Sequence, residues 1–176
     1  MVNIKEKSNK NQRMLTMILF GIYLVVLIWI ILFKMEFSFT YLYSTREINL
    51  IPFGDSVIIN NRVYLSEIYM NIIAFIPFGV YIAMLKPNWN FIKKVAPIAL
   101  TSLLIEILQF TFAIGAADIT DFIGNTLGGV IGLVIYLIVY KLFKANIKVN
   151  KVFNIIALIG TIAFMVFVGL IFLANI

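Results

Sequence analysis

The chain has 176 residues, of which 62% are hydrophobic and only 12% are charged, and this composition excludes an ordinary water-soluble domain. The net charge of +6 comes from basic residues in short clusters between apolar segments, a pattern typical of membrane orientation signals, so we expect no nucleic-acid binding. The chain has no Cys and no His, which excludes thiol nucleophiles, imidazole bases, disulfides and the usual zinc sites.

The N-terminal segment combines a basic lead with a long apolar run. Residues 1–13 carry four basic side chains and are predicted to form a cytoplasmic tail. The charge-free run Met14–Phe33 is longer than the core of a signal peptide and has no small-x-small cleavage site. We therefore expect a retained signal anchor, which is the first helix of a single membrane domain over 14–176.

Hydropathy predicts an all-α fold, a polytopic bundle of about five transmembrane helices. The predicted helices cover about 14–33, 67–85, 95–115, 121–143 and 152–174. With the N-terminus inside, the inner segments hold eleven basic residues and the outer segments hold three, Lys34, Arg46 and Arg62. The positive-inside rule thus predicts an inner N-terminus and an outer C-terminus.

The segment between the first two helices, 34–66, is the longest loop. Its aromatic residues Phe37, Phe39, Tyr41 and Tyr43 suit a membrane interface. The apolar stretch that begins at Asn49 is broken by a proline and a glycine, so we expect it to dip into the outer headgroup region.

Polar side chains recur at helical spacing on the second, third and fourth helices, toward their outer ends. A carboxylate near a helix centre costs about 2.5–3.5 kcal/mol to insert, so Glu106 is not expected to face lipid. In a purely structural role, Glu106 would be a neutral acid that joins helices through a hydrogen bond to Gln109 or Asn71. Asp118 and Asp121 could simply cap the fourth helix. The functional interpretation, which we favour for Glu106, is a ligand site built from Asn49, Asn71, Glu106, Gln109, Asp118, Asp121 and Asn125.

Two further features of these helices concern packing. Pro77 is expected to kink the second helix and to free a carbonyl, that of Ile73. The fourth helix has Gly124, Gly128 and Gly132 at intervals of four, a small-xxx-small pattern that lets another helix approach closely. This pattern favours helix packing, either within the chain or in a homo-oligomer.

Four motifs resemble the VanZ-like family of bacterial membrane proteins in order and spacing. They are Asn49-Leu-Ile-Pro-Phe53, Asn71-Ile-Ile-Ala-Phe-Ile-Pro-Phe-Gly79, Glu106-Ile-Leu-Gln109 and Asp118-Ile-Thr-Asp-Phe-Ile-Gly-Asn-Thr-Leu-Gly128. The resemblance covers about 49–140, whereas the first and fifth helices carry no such motif. It implies a multi-pass protein of the bacterial cytoplasmic membrane in a family whose founding member lowers susceptibility to the glycopeptide teicoplanin. Relatives often have an Arg shortly before the Asp-x-x-Asp pair, where this chain has Gly115-Ala-Ala117.

Three functions remain open at this point. The first is a non-enzymatic envelope protein that binds a lipid-linked peptidoglycan precursor or a lipoglycopeptide at the outer leaflet, with membrane lipids around it. The second is a membrane enzyme acting on a lipid-linked substrate, with Glu106 or Asp121 as catalytic candidates and Mg²⁺ on Glu106, Asp118 and Asp121; otherwise no cofactor is evident. The third is a transporter or a proton-coupled channel, motivated by Glu106 and by Pro77 in the neighbouring helix.

Overall fold

The computed structural model describes residues 2–32, 48–52, 58–59, 62–63, 66–115 and 117–174. Five helices dominate this part of the chain: α1 Val2–Leu32, α2 Ser66–Leu85, α3 Phe91–Phe112, α4 Ile119–Phe143 and α5 Asn146–Ala174. Four two-residue strands accompany them: β1 Ile48–Asn49, β2 Ile58–Ile59, β3 Arg62–Val63 and β4 Ala117–Asp118. The predicted aromatic belt of the long loop lies outside the described residues.

Among the described residues, five helices are long and apolar enough to cross a membrane, which confirms the predicted polytopic bundle. Contacts between the helices show that successive crossings alternate in direction. Glu106 of α3 meets the start of α4, and Gln109 of α3 reaches Ile31 at the end of α1. We call the end of the bundle that contains Ile31, Gln109 and Asp118 the polar end, and the opposite end the lysine-rich end.

Capping explains where two helix boundaries differ from the sequence prediction. α3 begins four residues earlier than expected because the Asn90 side chain accepts a hydrogen bond from the Lys93 amide. It ends at Phe112 rather than Gly115 because Ala113 adopts a left-handed conformation, φ 54°, and its N–H turns back to the last carbonyls of the helix. α1 and α5 likewise begin earlier than predicted, since their polar first turns remain helical.

The glycines of α2 and α4 bring these two helices into backbone contact. A Cβ at Gly128 or Gly132 would overlap the carbonyl oxygens of Ile72 and Ile76, and a Cβ at Gly79 would overlap the carbonyl of Gly129. Only glycine permits this approach, as the small-xxx-small pattern predicted. The glycine face therefore serves packing within the chain, and a homo-oligomer stays a separate prediction.

Aromatic side chains fill the space between α1 and α2. Phe20 and Tyr23 of α1 pack against Phe78 and Tyr81 of α2, with ring centroids 5.1–6.5 Å apart. The helix α2 continues through Pro77, and the Tyr23 hydroxyl donates a 2.7 Å hydrogen bond to the Ala74 carbonyl, next to the predicted free carbonyl of Ile73. Tyr23 thus supplies a polar partner where the proline weakens the helical hydrogen bonds.

The fifth helix is attached mainly through polar contacts at the lysine-rich end. The Asn154 amide donates to Gln12 and accepts a 3.0 Å hydrogen bond from the Thr16 hydroxyl, and both Asn154 and Thr16 are fully buried. Tyr136 of α4 donates to Asn150 at 2.9 Å. The rest of α5 presents apolar side chains to the surroundings, as expected for a peripheral helix in lipid.

Candidate functional site

A short parallel pairing at the polar end holds the loop before α2 against the start of α4. Ile48 pairs with Ala117 and Asn49 with Asp118. The Asn49 side chain is buried; its amide donates to an Asp118 carboxylate oxygen at 3.3 Å, and its own oxygen accepts from the Ile51 amide. Two of the predicted site residues, 69 positions apart in the chain, are therefore neighbours in space.

The Asp118 side chain also caps α4. Its second carboxylate oxygen accepts a 2.7 Å hydrogen bond from the Thr120 amide, and Asp118 itself stands in an extended conformation before the helix. The capping interpretation is thus confirmed for Asp118, which directly precedes the first residue of α4. Both carboxylate oxygens of Asp118 accept hydrogen bonds from the chain itself.

Glu106 projects from α3 toward this pairing. Its Oε2 accepts a 2.9 Å hydrogen bond from the Asp118 backbone amide, and its side chain is 6% exposed. Its Oε1 is buried and has no hydrogen-bond partner among the described residues. The predicted links from Glu106 to Gln109 or Asn71 are not those observed; the carboxylate joins α3 to β4 instead. Asp118 and Asp121 lie close enough to interact with it electrostatically.

The neighbours of Glu106 on α3 are buried polar groups as well. Ser102 is fully buried and accepts a 3.1 Å hydrogen bond from the Asn125 amide of α4. The Gln109 amide donates to the Ile31 carbonyl at 3.2 Å. The oxygens of the Gln109 and Asn125 amides have no partner among the described residues. Several buried acceptors on this face could therefore still take a donor.

An open cavity of about 280 Å³ lies against this cluster. Glu106 and Asp118 supply its acidic groups, and the remaining walls are apolar: Ile48, Leu50, Leu103, Ile107, Phe110, Ala117, Ile119 and Phe122. No Lys or Arg is among these lining residues. The cavity thus suits a largely apolar group that also carries hydrogen-bond donors.

The VanZ/LLP1 family model matches residues 20–144, which include the C-terminal part of α1, all of α2 to α4 and the residues that line the cavity. The chain belongs to the VanZ/LLP1 family. It is 42% identical over 111 residues to Protein VanZ of Enterococcus faecium, an alignment that covers 62% of this chain and 65% of that protein. This chain therefore spans somewhat less than two thirds of the length of that relative. No solved structure matches the chain.

Two other predicted site residues, Asn71 and Asp121, lie nearby but are not among the residues that line the cavity. Asn71 is half-buried on α2 beside Gly124, and Asp121 is half-buried in the first turn of α4. Within the described ranges, no group of three or more Asp, Glu, Cys or His side chains could hold a metal ion. The Mg²⁺ arrangement of Glu106, Asp118 and Asp121 stays a prediction without an observed ligand set.

Sequence reasoning missed the short β1–β4 pairing and the backbone amide of Asp118 as the partner of Glu106. Helical periodicity cannot reveal either, because both depend on how a loop folds back onto the bundle. It also missed the buried pair Thr16 and Asn154, which helical spacing around the lysine-rich segments could have indicated.

Proposed function

We propose that this VanZ-like protein acts in the envelope of the bacterial cytoplasmic membrane and lowers susceptibility to teicoplanin-type glycopeptides. It does so by binding the lipoglycopeptide or a lipid-linked wall precursor at the outer leaflet, without catalysing a reaction. The observation that carries this proposal is the apolar cavity at the polar end, with buried Glu106 at its wall. Membership of the family and the resemblance of its four motifs support the same function.

The chemistry of the cavity favours one part of such a ligand. Its apolar walls suit an acyl chain or an aromatic ring, while the carboxyl oxygens of Glu106 and Asp118 accept hydrogen bonds. Hydroxyl and amide groups of a sugar or peptide fit these acceptors, whereas a pyrophosphate would need basic side chains to neutralise it. We therefore place the sugar or peptide portion of the ligand, with its attached apolar group, in the cavity.

The lysine-poor side of the bundle is the polar end, which supports binding at the outer leaflet. Lys86, Lys141, Lys148 and Lys151 all flank the opposite ends of the helices. By the positive-inside rule these lysines stay in the cytoplasm, so the cavity faces outward. A cavity at this level is within reach of glycopeptides and of wall precursors once they have been exported.

The test is the teicoplanin and vancomycin susceptibility of a sensitive Gram-positive host that expresses the protein. Glu106→Gln removes the carboxyl group and keeps an oxygen that can accept from the Asp118 amide, so the fold should survive. Asp121→Asn is a second site variant. Glu67→Gln is the matched control: it makes the same chemical change at the same end of the bundle, but Glu67 does not line the cavity.

We expect protection against teicoplanin from the original protein and from Glu67→Gln. We expect Glu106→Gln to return the host to its unprotected level, with equal amounts of each variant in the membrane. Equal protection by all variants would refute the role of the acidic cavity, and absence of protection by the original protein would refute the proposed function.

A further inference from the structure

One wall of the Glu106 cavity comes from a loop rather than from a helix. Ile48 and Leu50, from the loop before α2, line the cavity together with residues of α3 and α4. Successive side chains of an extended segment point to opposite faces, and burial follows this alternation: Ile48 and Leu50 are exposed, whereas Asn49 between them is 7% exposed. Asn49 is not among the residues that line the cavity. Its side chain therefore lies behind the loop wall.

The Asn49 side chain uses both its nitrogen and its oxygen in hydrogen bonds within the chain. Its Nδ2 donates a 3.3 Å hydrogen bond to Oδ2 of Asp118, and its Oδ1 accepts a 3.0 Å hydrogen bond from the Ile51 amide. The first bond ties the loop to the start of α4, and the second fixes the turn of the loop itself. Asn49 is also the only polar residue of the segment 48–52, so no other side chain of this segment can tie it to the helices by a hydrogen bond.

Asp118 connects this bond to Glu106. Its Oδ1 accepts a hydrogen bond from the Thr120 amide, and its backbone N–H donates to Glu106 at 2.9 Å. The β1–β4 pairing that carries Asp118 is only two residues long, far shorter than a sheet that is stable by itself. Release of Asn49 would therefore free the loop wall and loosen the strand that holds Glu106.

We propose that Asn49 is a positioning residue of the ligand site: it clamps the loop wall of Ile48 and Leu50 against Asp118. The clamped wall keeps the cavity closed around the apolar group of the ligand. This inference rests on the proposed function, because it assigns a role at the same cavity. It differs from the direct ligand contact that the sequence predicted for Asn49.

The clamping hydrogen bond can be broken and then restored with residues of the same shape. In Asn49→Asp, an acceptor replaces the donor that faces Oδ2 of Asp118, while the oxygen that accepts from Ile51 is kept. In Asp118→Asn, one oxygen remains for two donors, the Asn49 side chain and the Thr120 amide, so one of the two bonds is lost. The double variant Asn49→Asp, Asp118→Asn restores a donor–acceptor pair in the reverse direction, at the net charge of the original protein.

Hydrogen–deuterium exchange of the full-length protein in mild detergent measures how often the loop is released. Loss of one hydrogen bond to a carboxylate should speed exchange of the segment 48–52 about ten-fold in Asn49→Asp. The double variant should return to within about two-fold of the original rate. Exchange in α5 should not change, which separates local release from damage to the whole bundle. Asn88→Asp is the matched control, because it makes the same chemical change on the exposed turn between α2 and α3.

Teicoplanin susceptibility of the host then connects the clamp to ligand binding. We expect Asn49→Asp to lose protection and Asn88→Asp to retain it, at equal amounts in the membrane. Lost protection with unchanged exchange would show that Asn49 contacts the ligand directly, and would overturn the clamp. Fast exchange that the double variant does not slow would also overturn it.

Two other outcomes separate this inference from the proposed function. Fast exchange with full protection in Asn49→Asp would show that the loop wall does not matter for the ligand, which overturns the positioning role and leaves the proposed function intact. Absence of protection by the original protein would refute the proposed function, and with it the role that rests on it.

Discussion

The close approach of Gly128 to the α2 backbone makes helix pairing testable with a single methyl group. A Cβ at this position would lie within 3.0 Å of three backbone atoms of Ile72, a distance that real Cβ atoms essentially never show. A backbone segment cannot move aside as a flexible side chain does, so Gly128→Ala must separate α2 from α4. Overpacking of this kind costs about 1–3 kcal/mol, and the rigid neighbour places the expected loss near the upper value.

Gly124→Ala is the matched control one turn away on the same helix. Its Cβ would meet the Ile68 carbonyl at 3.7 Å and Asn71 at 3.8 Å, ordinary van der Waals distances. We expect this variant to stay within about 0.5 kcal/mol of the original protein, as neutral substitutions do.

Thermal unfolding in mild detergent, followed by circular dichroism, provides the measurement. At about 2–4 °C per kcal/mol for a chain of this size, Gly128→Ala should lower the unfolding midpoint by about 6–12 °C, and Gly124→Ala should barely move it. If the two variants unfold at the same temperature as the original protein, α2 and α4 are not in backbone contact and the packing argument is wrong.

Two further outcomes are expected. Asn154→Leu should weaken the attachment of α5 by about 1–2 kcal/mol, because it removes the hydrogen bonds that join the Asn154 amide to Gln12 and Thr16 of α1. Thr161→Val should not, because the Thr161 hydroxyl bonds only the carbonyl four residues earlier in its own helix; unfolding midpoints compare the two. Because the chain has no Cys, single introduced cysteines can report the orientation of the bundle in the membrane. Leu50→Cys should react with a membrane-impermeant maleimide on intact cells, and Lys148→Cys should not. The reverse pattern would contradict the predicted inner N-terminus.

The helices were predictable because lipid imposes one strong condition on a spanning segment. A segment that crosses the bilayer must satisfy its backbone internally and present apolar side chains, and both requirements are visible in the sequence. The glycine spacing on α4 predicted close packing for the same reason, since only glycine removes the side chain that would hold helices apart. Helix ends were less accurate, because Asn90 and Ala113 set them through local caps that hydropathy does not detect.

The candidate site was predictable in its members but not in its connections. Helical spacing placed Ser102, Glu106 and Gln109 on one buried face, and the structure confirms that all three are buried. Spacing could not show that Asn49, from a loop, would pair with Asp118, because that contact forms between segments distant in the chain. The ligand itself was not predictable, since carboxylates and amides accept hydrogen bonds from many donors.

The rigid contact between α2 and α4 explains how one small bundle can keep buried polar groups in place. Losing the hydrogen bonds that Glu106 and Asn125 do make would be costly inside a membrane, so their partners must stay in place. Asn125 lies between Gly124 and Gly128, and its bond to Ser102 ties α3 to the α2–α4 pair. A displacement of α4 at Gly128 would therefore reach Ser102 and then Glu106, one helical turn away. Gly128→Ala is thus expected to impair teicoplanin protection as well as stability, whereas Gly124→Ala should retain both. Impaired protection in Gly124→Ala at normal stability would instead place Gly124 beside the ligand.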